Sequence, residues 1–596
     1  MPLAISVDHY HKTWEDYKVD IDKIKQSREL QSEQDTIAFA RSFCYAVMRR
    51  LWDYVDYNKK WKCRHVEFDS NKLDFAAHRL TREIADYFIT LNTMEYACLL
   101  GNLYTMLLPD SYRSSNGVYY TPPALAERLL DLLAAEGANL AMAHILDPAC
   151  GGGAFLITVA NRMLGDYRIK DLDSEAKMSH LESHLAGIEI DNFAGLITQC
   201  LLDIIVYQES IKAGRRLRKI VKIQDTIQYA LQETRKFDVI VGNPPYGRLK
   251  LDENTRQAYA RSLYGHANLY GLFIDASLRM IKKGGLIGLV TPTSFLGGKY
   301  FSNLRYLLSQ TLPPLVIDFI ALRSGVFEQV LQETCLVVFG QNQMKTVTAN
   351  KINIDSSTCE IDRIGSFCIN VGNKPWVIAR EVSESNLVKQ VADMENTLEE
   401  YGYKVSTGQL VWNRMKNQIK DIWSDGVRPI IWAEAITANN NFSFNYQYRS
   451  DKKYIMVSEN QEYLICKEPV VLVQRTTAKE QSRRLQACVL PKKFIDQWDG
   501  VVVENHVNIV HPVTDHPVIS LETLSLLLNS KTVDRIFRCL SGSVAVSATE
   551  LHAIPLPPVN EARELEEYIN ANRENMQELE LFIMRAYGLE GIENES

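Results

Sequence analysis

The chemistry this sequence can perform is concentrated in FDVIVGNPPYGR, where an apolar run delivers Asn243, Pro244, Pro245 and Tyr246 to a turn. Neither proline has an N–H to donate, so the turn presents acceptor oxygens. The side-chain oxygen of Asn243 and the carbonyl of Pro244 can together receive both hydrogens of a planar amino group, drawing its nitrogen toward a tetrahedral shape. The lone pair is then free to attack, and the proton leaves afterwards. Positioning and charge stabilisation carry such a step, with no general base ahead of the transfer. Tyr246 adds an aromatic face, and stacking a flat nucleobase on such a face is worth ~1 to 3 kcal/mol.

A second loop, HILDPACGGGAFLITVA, reads as a strand, a glycine-rich turn and a helix start, which in an open α/β sheet is where a ligand meets the strands' carboxyl ends. Gly151 and Gly153 let the backbone approach a ligand closely, and Asp147 can accept from an ammonium group. Leu156 stands where a dinucleotide site wants a third glycine, which disfavours NAD. The next strand ends in GIEID, where Glu189 is placed to hold ribose hydroxyls; the polar stretch LGDYRIKDLDSEAKMSHLESHL before it reads as an insertion. Asp225 in KIQDTI follows the third strand and can accept from an adenine amino group. In GVYYTPPALAERLLDLL, Thr121 is expected as an N-cap and Pro122 at the first helical position, giving a helix N-terminus able to receive a carboxylate.

The elements that position these groups follow from periodicity. Residues 1–116 place apolar side chains three and four apart and predict an N-terminal helical region. From 144 to 340, short apolar runs alternate with helical ones, which predicts a doubly wound α/β sheet. The catalytic domain is drawn over 117–345. Short strands, turns and isolated aromatics then mark a mixed α+β domain over 346–560, before an acidic C-terminal helix or tail over 561–596.

DPACGGGAF, GIEID and NPPY in this order, preceded by GVYYTP, resemble the gamma-class amino-methyltransferases of bacterial restriction-modification systems. The resemblance covers 95–345. It implies a Rossmann-like, S-adenosylmethionine-dependent methyltransferase sheet that methylates the N6 of a flipped-out adenine in double-stranded DNA. It also implies a C-terminal target-recognition domain and a cognate restriction endonuclease on a separate chain. Carried over, Tyr120, Thr121, Pro122, Asp147, Ala149, Gly151, Gly153, Glu189, Ile190 and Asp225 hold the cofactor. Asn243, Pro244, Pro245 and Tyr246 are catalytic, and Phe327 in GVFEQVLQETCLVVFG is a second stacking aromatic. Gly152 replaces a frequent serine, a change expected to be harmless, and Cys150 is assigned to packing. Competing readings are cytosine-N4 methylation, methylation of a protein glutamine amide by an enzyme sharing NPPY, and an inactive DNA-binding subunit.

At 46% hydrophobic and 23% charged, the chain is of ordinary globular composition, which excludes collagen-like and wholly disordered classes. The net charge of −7 resides in the tail: residues 561–596 hold ten acidic and three basic side chains. Two basic stretches are candidates for gripping DNA. They are KAGRRLRKIVK at 212–222, weighed evenly against a solvated face, and RTTAKEQSRRLQACVLPKK at 475–493, from which Arg475, Arg483 and Arg484 are assigned to DNA contact. Eleven cysteines without a CxxC pair indicate neither a disulfide framework nor a zinc site, and the His180/His184 pair lacks an HExxH context. No metal, no membrane span and a bacterial cytoplasmic location are expected.

Overall fold

A computed structural model describes residues 12–27, 32–116, 121–321, 333–341, 345–354, 359–369, 371–437, 440–444, 452–476, 483–540, 545–572 and 578–589. The central element is a nine-stranded sheet. Its strands are β1 (Ile145–Asp147), β2 (Leu185–Glu189), β3 (Val221–Ile223), β4 (Phe237–Gly242), β7 (Ile281–Pro292), β8 (Pro314–Ile320), β9 (Thr334–Phe339), β10 (Thr346–Ile354) and β11 (Cys359–Cys368). A two-residue hairpin, β5 (Arg248–Leu249) and β6 (Ala267–Asn268), lies outside it. The order is β11-β10-β8-β9-β7-β4-β1-β2-β3. β3, β2, β1, β4 and β7 run parallel, and β9 inserts antiparallel between β7 and β8. β1 and β4, at the centre of the sheet, are buried almost throughout, as parallel strands covered on both faces must be. The predicted doubly wound α/β architecture is therefore the one observed.

The chain order reverses at β1, with β2 on one side and β4 on the other, so the carboxyl ends of β1, β2 and β4 open onto a common crevice. One boundary differs from the sequence reading. β10 pairs in parallel with β8, and β11 closes a hairpin on β10, so the catalytic sheet runs to Cys368 rather than ending at 345. The edge strands alternate in burial, and that half-exposed pattern resembles the texture of the next domain.

The N-terminal helices Trp14–Gln26, Glu33–Val55, Phe75–Ile89 and Thr93–Leu107 do not close a core of their own. Phe39, Phe43, Leu100 and Tyr104 share one apolar cluster with Leu129, Ile157, Phe193 and Val241 of the sheet layer. Beyond the sheet, β12 (Tyr403–Thr407), β17 (Val470–Gln474), β18 (Ala487–Leu490) and β20 (Val507–Pro512) form an antiparallel sheet of order β12-β20-β17-β18. A smaller mixed sheet of order β13-β15-β14-β19-β16 is built from β13 (Ile419–Lys420), β14 (Val427–Ile431), β15 (Tyr454–Met456), β16 (Ile465–Cys466) and β19 (Val501–Val503). The predicted acidic tail contributes helices Val559–Ala571 and Leu579–Ala586, whose Leu565, Ile569 and Ile583 join Tyr401, Tyr403 and Val510 in one apolar cluster. Its apolar stripe completes this domain, and its Glu566 and Glu580 accept from the backbone N–H groups of Ser520, Lys531 and Thr532. Among the described residues no helix is long and apolar enough to cross a membrane.

Candidate active site

The loop between β1 and helix Ala154–Gly165 turns through left-handed conformations at Gly151 (φ 48°) and Gly153 (φ 91°), a region that side chains rarely adopt. It is bound to the neighbouring strands. Cys150 N–H donates to Ile188 O at 3.0 Å, and the Thr198 hydroxyl donates to Gly151 O at 2.6 Å. Glu189, at the end of β2, accepts from the backbone N–H groups of Gly151 (2.8 Å), Ile190 (3.0 Å) and Asp191 (2.9 Å). Burial still pushes its carboxyl upward. Ile190, beside it, is a large apolar side chain left 66% exposed. Asp225 caps helix Thr226–Gln232 through the Ile227 N–H at 2.8 Å, with its side chain at the surface.

Asp147, at the end of β1, is buried, and the Ala149 N–H at 3.0 Å is the donor the described residues supply to its carboxylate. Burial raises it to about 8. A buried carboxylate with so little compensation fits an incoming cation.

Asn243 follows β4 directly. Its Nδ2 donates to Thr121 Oγ1 at 3.0 Å, and its Oδ1 accepts from the Tyr246 hydroxyl at 2.8 Å. At Gly242 an added Cβ would stand 2.8 Å from Asp147 Oδ1, so the Asn243 turn and the glycine-rich loop meet in one crevice. Thr121, Asp147, Gly151, Glu189 and Asn243 are thereby brought together from four separate segments.

Three expectations are corrected in detail. Thr121 is not the N-cap: Pro122 occupies that position and Pro123 opens the helix, so the frame shifts by one residue. The buried Thr121 side chain instead orients Asn243. Tyr246 does not present an open face, because its ring is 4% exposed and packs edge-on against Tyr270 (6.2 Å, 81°). Its hydroxyl reaches both Asn243 Oδ1 and Val290 O, so in this conformation it holds the amide. Gly152 is also consequential. A Cβ there would lie 2.9 Å from Gly101 Cα in helix Thr93–Leu107, so serine at this position would collide with the N-terminal layer.

That layer supplies residues that sequence reasoning missed. Asp191, which caps the helix after β2, accepts from the Tyr104 hydroxyl at 2.7 Å and from Arg41 at 3.3 Å. Arg41 and Tyr104 carry no local motif and meet Asp191 only through the packing of helices, so nothing in their spacing could have announced them.

The DNA assignments divide. Arg475 is half-buried, with its backbone N–H on His506 O and Nη1 on Asn505 O. Arg483 is half-buried as well. Arg484 is 3% exposed and burial lowers its guanidinium, so its assignment to a DNA-facing surface is withdrawn. In the 212–222 stretch, Arg215 pairs with Glu175 and Glu182, and Arg216 pairs with Asp203. That stretch is largely neutralised within the protein. His180 and His184 stack at 3.9 Å, with His180 Nε2 2.7 Å from Ala141 O. Tyr120 and Phe327 lie outside the described residues.

Residues 163–327 match the family described as Eco57I restriction-modification methylase. The Type II methyltransferase M.BsuBI of Bacillus subtilis is 24% identical over 496 residues, covering 79% of this chain and 93% of that protein. M.PstI of Providencia stuartii, also a Type II methyltransferase, is 24% identical over 473 residues, covering 76% and 88%. Among solved structures, the Type IIL restriction-modification enzyme MmeI in complex with DNA shares the fold at a TM-score of 0.53 and 13% identity, covering 96% of each chain. The chain therefore carries an Eco57I restriction-modification methylase domain and is related over most of its length to Type II methyltransferases.

Proposed function

We propose that this protein is the modification methyltransferase of a restriction-modification system, acting on the N6 amino group of an adenine flipped out of duplex DNA, with the endonuclease on a separate chain. The observation that carries this reading is the meeting of Asn243 with the cofactor loop. The acceptor turn stands against Asp147 and is bonded to Thr121, within the same crevice as Glu189. S-Adenosylmethionine, when bound, supplies a sulfonium methyl group for attack by nitrogen. Its ammonium suits the under-compensated carboxylate of Asp147. A carboxylate has roughly four acceptor sites. Glu189, with three backbone donors, retains capacity for a ribose hydroxyl. Ile190 offers apolar surface to the purine, and Asp225 a surface carboxylate beside it.

On the substrate side, Asn243 Oδ1 and Pro244 O accept the two amino hydrogens and release the lone pair toward the methyl carbon. With the cofactor bound, the nitrogen would take the methyl group as its bond to sulfur is lost, and would then shed its proton to solvent. In the described conformation the Tyr246 hydroxyl occupies Oδ1, so an arriving amino group must displace it. Displaced from Oδ1, the hydroxyl keeps Val290 O as a partner at 3.3 Å. Flipping costs a few kcal/mol, which contacts in the C-terminal domain have to offset.

The test is Asn243→Ala. Transfer of labelled methyl from S-adenosylmethionine to duplex DNA is expected to vanish while cofactor binding, measured by calorimetry, is retained. Residual turnover near the wild-type rate would remove Asn243 from the reaction. Digesting the labelled DNA to nucleosides separates N6-methyladenine from N4-methylcytosine.

A further inference from the structure

One end of the four-stranded sheet of the C-terminal domain gathers a set of polar groups that the reaction does not use. Thr407 at the end of β12, Gln474 at the end of β17, Val507 at the start of β20 and Ala487 at the start of β18 are register neighbours at that end. The turn Glu504-Asn505-His506, between β19 and β20, lies there, with Arg475 one residue past β17. This end is tied toward the nine-stranded sheet: Val546 N–H donates to Arg475 O at 2.8 Å, and a Cβ added at Gly297, in the loop that follows the carboxyl end of β7, would stand 2.5 Å from Leu540 O and 3.5 Å from Glu550 Oε1.

The Glu504 carboxylate is fully buried, and among the described residues its acceptors serve one neighbour. It receives the His506 backbone N–H at 2.8 Å and faces the ring Nδ1 at 2.8 and 2.9 Å. The His506 side chain is 55% exposed and Glu504 is 0% exposed. Burying a carboxylate is costly unless its partners are strong, so devoting one to orienting a single exposed imidazole marks that imidazole as built for a contact. The turn is also rigid. Glu504 N–H donates to Ile431 O and Asn505 N–H to Leu410 O, both at 3.0 Å. At Gly408 an added Cβ would stand 2.2 Å from Glu504 O, so glycine alone lets the strands close on the turn.

Arg475 is held by the same turn through its backbone N–H to His506 O (2.9 Å) and Nη1 to Asn505 O (3.0 Å). Its Nε and Nη2 donate to no atom of the described residues, and Asn505 Oδ1 is a buried acceptor without a partner. The Nε and Nη2 donors of Arg475 are therefore left for a ligand on the turn that also carries the His506 imidazole, whose Nδ1 is engaged by Glu504. A fork held by one of its nitrogens is matched to a planar pair of acceptors such as guanine O6 and N7; a phosphate can offer the same fork two oxygens, and word specificity separates the two.

We propose that Arg475 and His506, the latter oriented by Glu504, read base edges in the major groove of the target DNA, with guanine as the partner of Arg475. The inference rests on the DNA-methyltransferase reading above. The experiment uses the full chain, S-adenosylmethionine and a duplex library of randomised words, reading which words become methylated. Arg475→Lys keeps the charge and removes the fork. Methylation of the wild-type word is expected to fall roughly 10- to 100-fold, with one G·C position becoming degenerate and cofactor affinity unchanged. His506→Gln, which keeps an amide able to donate to the buried Glu504 carboxylate, is expected to relax a neighbouring position and carries the test by itself should Arg475→Lys fold poorly. Variants that keep the full word while weakening all sequences alike would assign these residues to phosphate and overturn the proposal. Unaltered words and rates would overturn it too. A wild-type chain that methylates no duplex would instead overturn the DNA-methyltransferase reading, before any variant is compared.

Discussion

Asp147 is the residue whose electrostatics most directly connects cofactor, pH and stability. Its folded value of about 8 lies above the 3.8 of an ordinary aspartate, so between these limits the folded chain keeps a proton that the unfolded chain has lost. Stability of the unliganded protein is therefore expected to fall as pH rises from about 4 to 8, by an amount on the order of several kcal/mol for this group alone. A melting series across that range checks the sign. An ammonium-bearing cofactor binds the ionised form, so its affinity is expected to weaken as pH drops below about 8, and Asp147→Asn should flatten that dependence. At Asn243, Tyr246→Phe removes the hydroxyl that occupies Oδ1 and leaves an aromatic ring. Since one hydrogen bond is worth ~1 kcal/mol net, methyl-transfer rates are expected to stay within about tenfold of wild type, measured with labelled cofactor. Loss of activity comparable to Asn243→Ala would make the hydroxyl itself essential.

At the scale of elements, the helix Thr93–Leu107 and the glycine-rich loop behave as one unit. Gly101 and Gly152 touch backbone to backbone, and Tyr104 from the same helix reaches Asp191 behind Glu189. Serine at 152, expected from sequence to be harmless, has no room beside this helix. Gly152→Ser is expected to destabilise the protein by about 1 to 3 kcal/mol, as overpacking does, and to weaken cofactor binding by shifting the loop. Thermal melts with and without S-adenosylmethionine read both effects, and an unchanged melt would show that the helix yields freely. The same coupling explains why residues 1–116 read well as helices but not as a support of the site. Periodicity reports which face is buried, never what it is buried against.

Across the whole molecule, charge is organised differently from its distribution along the chain. The most basic run, 212–222, spends Arg215 on Glu175 and Glu182 and Arg216 on Asp203 and the Trp52 ring, contacts that keep those cations within the catalytic domain. Arg215→Ala is accordingly expected to leave the salt dependence of DNA binding unaltered, which a titration of affinity against ionic strength measures; a slope reduced by about one would restore that face to the interface. The 475–493 run is likewise divided, with Arg484 inside the domain and Arg475 fixed by the Glu504–His506 turn.

The order of DPACGGGAF, GIEID and NPPY, each at the end of an apolar run, was enough to determine the sheet and the crevice at which Asn243 stands. Those features depend on local propensity and on the rule that ligands meet the carboxyl ends of parallel strands. Tertiary structure alone decided that Thr121 orients Asn243, that Tyr246 is turned onto that amide, that β10 and β11 extend the catalytic sheet, and that Arg41 and Tyr104 brace Asp191. Each of these is a contact between segments far apart in the chain. Its existence depends on how helices and strands pack, and a side chain's distant partners leave no trace in the spacing of its neighbours.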